Sequence, residues 1–272
     1  MTSDVVRLAD ILREAARAEA LPRFRRLRPE QVKVKSEAID IVTEADVATE
    51  HAIRRAVADW LPQALFVGEE SVAADPTLLD QLVTAELAVV VDPIDGTANY
   101  AAGLPLFATM AAVVSGGQTI MGIIYDPMGD DWFVAERGSG AWLRRPDGET
   151  LRLRVAAPVP IEQMVGMASL AHIPAGKRPQ ILANTDKVRL LSSFRCAGHE
   201  YRTFISGHAQ FVCYNRMMPW DHLAGALLIE EAGGFVRRLD GSNYLPSHTG
   251  GGLLAAVDEE SWNMLRREVF AF

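Results

Sequence analysis

The stretch Leu87-Ala88-Val89-Val90-Val91-Asp92-Pro93-Ile94-Asp95-Gly96-Thr97 passes without a break from an apolar strand to a group of hard oxygen donors. Asp92 and Asp95 offer carboxylates that suit Mg²⁺, an ion that prefers octahedral oxygen coordination. Pro93 fixes the backbone between them, so the two acids are presented at a set separation. Gly96 lets a ligand come close to the chain, and N–H groups at the start of a following helix favour an anion. Thr97 adds a hydroxyl able to orient a water. The same residues also describe a strand closing in an Asx turn, where Asp and Gly occur for local reasons alone. On this stretch alone the two readings are even.

Two further acidic segments shift that balance. Phe66-Val67-Gly68-Glu69-Glu70-Ser71 is a short apolar run broken by glycine and followed by paired carboxylates, which as a pair also fit a solvated surface. Pro219-Trp220-Asp221 opens the apolar helical stretch Leu223 to Ile229, which ends at Gly233-Gly234. There Asp221 also fits a helix N-terminus through the macrodipole, and Trp220 fits a packing residue that fixes its approach.

Four blocks in order resemble the inositol monophosphatase family of magnesium-dependent, lithium-sensitive phosphatases. They are Lys35-Ser36-Glu37-Ala38-Ile39-Asp40-Ile41-Val42-Thr43-Glu44-Ala45-Asp46, then Gly68-Glu69-Glu70-Ser71, then Asp92 to Tyr100, then Trp220-Asp221 running to Glu231-Ala232-Gly233-Gly234. They span most of the chain, and the third and fourth carry the specificity. The resemblance implies an α/β fold of layered α-β-α-β-α sandwich type. It implies one compact unit over residues 1–272, with an N-terminal half (1–155) carrying most metal ligands and a C-terminal half (156–272) carrying Asp221 and the substrate rim.

Composition agrees with a globular enzyme. A chain of 272 residues with 49% hydrophobic content can bury a large core, and no linker, repeat or low-complexity run divides it. Lys+Arg 27 against Asp+Glu 35 gives a net charge of −8, which argues against non-specific binding to nucleic acid or anionic membrane. The most basic stretch, Arg23 to Arg28, reads as a solvated helix end or, alternatively, a partner surface. Cys196 and Cys213 are too few for a disulfide framework or a zinc site and fit reduced thiols in a cytoplasmic protein. The N-terminus lacks the pattern of a secretory signal, and no apolar run approaches a membrane span.

Periodicity predicts a helix over 3–20, and Thr43 with Asp46 form a capping box for a helix reaching Leu61, ended by Pro62. Strands at 107–114, 120–125, 132–136, 142–144 and 151–155, separated by Gly, Pro and Asp turns, predict an antiparallel meander. Later strands are expected at 164–168, 191–196, 211–214, 235–239 and 253–257. Helices are expected at 179–184, 200–206, 221–231 and 259–269, and the alternation suggests stacked layers.

The resemblance assigns roles residue by residue. Asp92 bridges two Mg²⁺ ions. Glu69 and the Ile94 carbonyl complete one site, and Asp95 and Asp221 the other. A third, weaker ion uses Glu69, with Glu70 assisting from outside and Lys35 near the mouth. Thr97 with Asp46 orients and deprotonates a metal-activated water for in-line attack, while Gly96 and Thr97 N–H groups hold the phosphate. The physical argument for metal stands without the resemblance, because clustered carboxylates repel a dianionic ester until cation charge inverts the local field.

Asp46 is explained equally by helix capping, and its catalytic role rests on the surrounding block. There is no Gly-x-Ser-x-Gly, no His-Glu-x-x-His and no phosphate-binding glycine loop ending in Lys-Ser or Lys-Thr. The histidines are dispersed, and His222 beside Asp221 is a candidate outer residue only.

Specificity is where the chain departs from its relatives. Members acting on inositol phosphates carry an acid about seven positions before the Trp-Asp aspartate, whereas Tyr214-Asn215-Arg216-Met217-Met218-Pro219 has none. Glu200, in Gly198-His199-Glu200-Tyr201-Arg202, stands where alanine is common. Arg216 suits a substrate with a second phosphate or carboxylate, and Glu200 an amine or polyol, unless both serve unrelated salt bridges. The leading expectation is hydrolysis of a small phosphomonoester, inositol monophosphate first. Histidinol phosphate, fructose 1,6-bisphosphate and 3′-phosphoadenosine nucleotides are rivals with the same chemistry, and a regulatory protein retaining the fold is a rival of another class. A homodimer is implied by the resemblance alone.

Overall fold

The computed structural model describes residues 2–35 and 41–271, so Ser36 to Asp40 of the first block lie outside the described residues. Helix α1 (Ser3–Ala15) turns Val5, Leu8, Ile11 and Leu12 inwards and runs on through one wide turn, Ala16–Ala20, to a 3₁₀ turn at Leu21–Arg23. The antiparallel pair β1 (Val32–Val34) and β2 (Ile41–Thr43) leads into α2 (Glu44–Trp60). The predicted capping box is present: Thr43 Oγ1 accepts the Ala45 N–H at 3.1 Å, and Asp46 Oδ2 accepts the Thr43 N–H at 2.9 Å.

Next come β3 (Leu65–Gly68), α3 (Glu69–Ala74), α4 (Thr77–Thr84), β4 (Leu87–Asp95) and the short α5 (Thr97–Ala101). The meander follows as β5 (Ala108–Ser115), β6 (Gln118–Asp126), β7 (Asp131–Glu136), β8 (Gly140–Arg144) and β9 (Thr150–Arg152). These strands form a seven-stranded sheet in sequential order from β3 to β9, parallel only between β3 and β4.

The rest of the chain supplies β10 (Val165–Ala168), α6 (Arg178–Asn184), β11 (Leu190–Ser192), α7 (Ala197–Ile205), β12 (Phe211–Tyr214), α8 (Pro219–Glu231), β13 (Phe235–Arg238), β14 (Leu253–Ala256) and α9 (Glu259–Glu268). Its sheet has five strands in the order β11-β10-β12-β14-β13.

Strand alternation builds the layers. In β4, Val89 and Val91 enter a core with α1 and α2, while Ala88 and Val90 enter a second core with α7 and α8. In β12, Val212 and Tyr214 face that second core, and Phe211 and Cys213 face a third with Trp262 and Leu265 of α9. The order is therefore helix, sheet, helix, sheet, helix, as expected. Helix α8 is apolar on nearly every side because it lies between two sheets, and its mouth-side end carries Asp221.

Three local expectations are corrected. Residues 69–84, given no element from sequence, form α3 and α4. The strand expected over 191–196 stops at Ser192, and the helix expected from Glu200 begins at Ala197. The first-turn N–H groups of α7 are bonded by Asp95, a residue about a hundred positions away, so no local signal marks the start.

Candidate active site

Strand β4 carries Asp92 and Asp95 to its end, where the register against β5 shifts between them and both acids are delivered towards one cavity. Asp221, in the first turn of α8, meets them there: one carboxylate oxygen from each of Asp92, Asp95 and Asp221 lies within 4.8 Å of the others. The cavity holds about 590 Å³ and is lined also by Glu69, Ile94, Gly96, Thr97, Glu200 and Arg216. A larger cavity of about 830 Å³, beside Asp240 and Arg266, includes none of these acids.

Burial sets the electrostatics. Asp92 is 1% exposed, and its Oδ1 is a buried oxygen without a hydrogen-bond partner among the described residues. Desolvation raises its pKa well above the carboxylate range, reinforced by Glu69, Asp95 and Asp221. Asp221 is pushed up to about 8 by burial and by Glu69 and Asp95, against the lowering effect of its hydrogen bond with Asp92. Burial and mutual repulsion thus favour the protonated acids in the absence of a cation, and a divalent ion would compete with those protons. An orphaned oxygen among convergent carboxylates fits a hard cation such as Mg²⁺.

Asp95 differs in its partners. Its Oδ1 accepts the Ala197 N–H at 3.1 Å, and its Oδ2 accepts the Gly198 N–H at 2.5 Å and the Cys196 S–H at 3.0 Å. The acid therefore caps α7 from outside, and this partly offsets the upward pull of burial on its pKa. A Cβ at Gly198 would come within 2.8 Å of the Ala108 Cβ and 3.0 Å of Asp95 Oδ2, so only glycine permits this approach.

Thr97 and Asp46 form a pair. Thr97 Oγ1 lies 3.0 Å from Asp46 Oδ1 and 2.9 Å from the Ile94 carbonyl oxygen. Burial raises Asp46 to about 7, against the lowering effect of its bonds to Thr43. Gly96 precedes Thr97 at φ +86°, where a Cβ would meet the Leu106 carbonyl at 2.9 Å. Gly96 also closes the first turn of α5, its carbonyl accepting the Asn99 N–H at 2.8 Å and the Tyr100 N–H at 3.0 Å.

Glu69 and Glu70 begin α3 and both bind Lys35, whose Nζ lies 2.8 Å from Glu69 Oε1 and 2.6 Å from Glu70 Oε1. Burial and the neighbouring acids raise Glu70 to about 7 despite that lysine. Sequence reading missed what holds this helix. Glu50, buried in α2, accepts the Glu70 N–H at 2.7 Å, the Ser71 N–H at 2.8 Å and the Ser71 hydroxyl. The available signal was its spacing, one helical turn after Asp46.

At the rim, Glu200 is 2% exposed instead of lying free at the mouth; its Oε1 accepts the Phe194 N–H at 2.7 Å. Arg216 is exposed on the cavity wall. His222 is buried, donating from Nε2 to the Arg216 carbonyl at 2.8 Å and accepting the Tyr201 hydroxyl on Nδ1 at 2.9 Å. Desolvation lowers its pKa to about 4, so it is neutral at physiological pH. Among the described residues no helix is long and apolar enough to cross a membrane.

Layered sheets and helices with three convergent acids at a strand end define a class of α/β protein with a candidate cation pocket. The chain belongs to the inositol monophosphatase family, whose model matches residues 4–269. It is 32% identical to an inositol-1-monophosphatase of Mesorhizobium japonicum over 209 residues, 74% of this chain and 73% of that one. It is 30% identical to a fructose-1,6-bisphosphatase/inositol-1-monophosphatase of Thermotoga maritima, covering 79% and 77%. The crystal structure of extragenic suppressor protein suhB from Bartonella henselae superposes with a TM-score of 0.82 at 29% identity, over 99% of both chains. An IMPase/NADP phosphatase solved with Mg²⁺ and phosphate shares the fold at 18% identity, with a TM-score of 0.76 over 93% of this chain and 90% of that one.

Proposed function

We propose that this chain hydrolyses a small phosphomonoester with Mg²⁺. Asp92, Asp95, Asp221, Glu69 and the Ile94 carbonyl would hold the ions, with Glu70 and Lys35 adjusting Glu69 from outside. The observation that carries the reading is the orphaned Asp92 Oδ1 inside the three-carboxylate cluster. When bound, Mg²⁺ supplies the charge that offsets the dianionic ester, raises the acidity of a nearby water and steadies the leaving oxygen.

The chain's own groups supply the rest. The N–H groups of Gly96 and Thr97 receive phosphate oxygens at the mouth of α5. Thr97 Oγ1 orients the attacking water, and Asp46 Oδ1, reached through that hydroxyl, receives the proton. A pKa of about 7 for Asp46 lets it take up and release a proton near neutral pH.

Inositol monophosphate is the reference substrate on family grounds. Fructose 1,6-bisphosphate, histidinol phosphate and 3′-phosphoadenosine 5′-phosphate test the same chemistry on other alcohols. The experiment is phosphate release from this panel with and without Mg²⁺. Turnover that requires Mg²⁺ and is lost in Asp221→Asn supports the proposal, and no turnover of any ester contradicts it.

A further inference from the structure

We infer that the rim is built to read a second anionic group, a phosphate or a carboxylate, on the alcohol that leaves. The inference rests on the phosphatase reading for the position of the scissile phosphate. Its own basis is the set of basic side chains on the cavity wall, Arg178, Arg195 and Arg216, standing over an acidic floor.

Two of these have no structural task in sight. Arg178 and Arg195 are exposed, line the cavity, and make no salt bridge or side-chain hydrogen bond among the described residues. Some arginines elsewhere are paired, Arg13 with Asp130, Arg202 with Asp131 and Arg137 with Glu230, and others, such as Arg54 and Arg55 on α2, are exposed to solvent outside the cavity; what sets Arg178 and Arg195 apart is that they stand on its wall. A guanidinium left unpaired at a cavity mouth offers its planar fork to a planar or tetrahedral anion.

The backbone that presents Arg195 is held deliberately. Arg195 adopts φ 55°, a left-handed conformation uncommon for a residue with a side chain. The turn before it is pinned from both sides. Glu200 takes the Phe194 N–H at 2.7 Å and the Ser193 hydroxyl at 3.2 Å, while Asn99 Nδ2 donates to the Phe194 carbonyl at 2.7 Å. Strain fixed by buried partners over an active-site cavity is a sign of presentation.

Arg216 is placed by the neighbouring residue of the same helix. Tyr201 bonds His222, and His222 bonds the Arg216 carbonyl. Consecutive buried polar residues of α7, Glu200 and Tyr201, therefore position the two arginine-bearing segments. This gives Glu200 a role the family comparison left open. It is a positioning residue for Arg195, whose own carboxylate is spent on the backbone of the turn.

The pattern selects among alcohols by charge. An alcohol carrying a second phosphate or a carboxylate gains from the collar, a neutral polyol gains little, and one carrying an ammonium group is repelled.

The test compares kcat/KM for fructose 1,6-bisphosphate, 3-phosphoglycerate, inositol 1-phosphate and histidinol phosphate, with calorimetric affinities for the same esters. The expected result is a preference of about tenfold or more for one of the first two over inositol 1-phosphate, shrinking as ionic strength rises. The first two separate phosphate from carboxylate as the second anion. In Arg195→Gln and Arg216→Gln the ratio of doubly to singly anionic esters falls about tenfold, with Arg195→Lys between them and the parent. Glu200→Gln lowers the same ratio through KM, whereas a merely structural role would lower kcat for every ester alike. Equal ratios in parent and arginine variants overturn the inference while leaving the phosphatase reading intact. If no ester is hydrolysed, the phosphatase reading falls, and the affinity ratios of parent and variants decide the collar by themselves.

Discussion

The floor of the pocket and its rim differ in charge, in origin along the chain and in how their side chains are held. The floor is acidic, is carried chiefly by the end of β4 and the first turns of α3 and α8, and has a buried oxygen with no hydrogen-bond partner among the described residues. The rim is basic, is carried by the first residue of α6 and by segments flanking α7 and β12, and at Arg195 and Arg216 has its backbone bonded from beneath. A site for a cation needs frustrated acids brought together. A surface that chooses among substrates needs charges kept apart and aimed.

Removing the floor is expected to have the largest effect. Asp92→Asn puts an amide where the proposed site needs a carboxylate, and Mg²⁺-dependent phosphate release should fall by more than about a hundredfold with Mg²⁺ affinity. Thr97→Ala separates the two functions of the floor. Release should drop by about a hundredfold or more while calorimetric Mg²⁺ binding survives, because in the proposed mechanism the hydroxyl positions water and lies outside the carboxylate cluster.

The support beneath Glu69 and Glu70 comes next. Glu50→Gln replaces an acceptor of three hydrogen bonds with a group that turns an amine towards donors. It should cost about 2 kcal/mol in denaturant unfolding and lower Mg²⁺ affinity about tenfold. A variant as stable and as tightly binding as the parent would remove Glu50 from the account.

The pH dependence of stability is the smallest effect and has a defined sign. Asp46 at about 7 and Asp221 at about 8 bind protons more tightly folded than unfolded. Their contribution is full below about pH 4 and is lost as pH rises through 7 to 8. His222, depressed to about 4, acts oppositely below its unfolded pKa near 6.5. The melting temperature of the metal-free protein should therefore fall between pH 6.5 and 8, and saturating Mg²⁺ should remove the fall. A flat profile without Mg²⁺ would mean that the floor acids are not held protonated.

The same contrast explains what could be read from the chain. Layers and meander were legible because alternation in strands such as β4 and β5 and turn residues between them are local signals. The capping box at Thr43 and Asp46 was legible for the same reason. The floor acids stood in contiguous motifs. The start of α7 was not legible, because its cap is Asp95, and neither was the turn at Arg195, because Glu200 and Asn99 fold it from different helices. Glu200 and Arg216 stood out as departures, but the partners each one meets six or seven residues away, across a turn, depend on backbone geometry that spacing does not encode.

The central proposal is that the floor acids take up protons in the absence of a cation and give them up when Mg²⁺ binds. Calorimetric titration of Mg²⁺ into the metal-free protein at pH 7, in two buffers of different ionisation enthalpy, tests it directly. The account predicts saturable binding with net proton release, both diminished in Asp221→Asn. Absence of saturable binding, or binding without proton release, would contradict it.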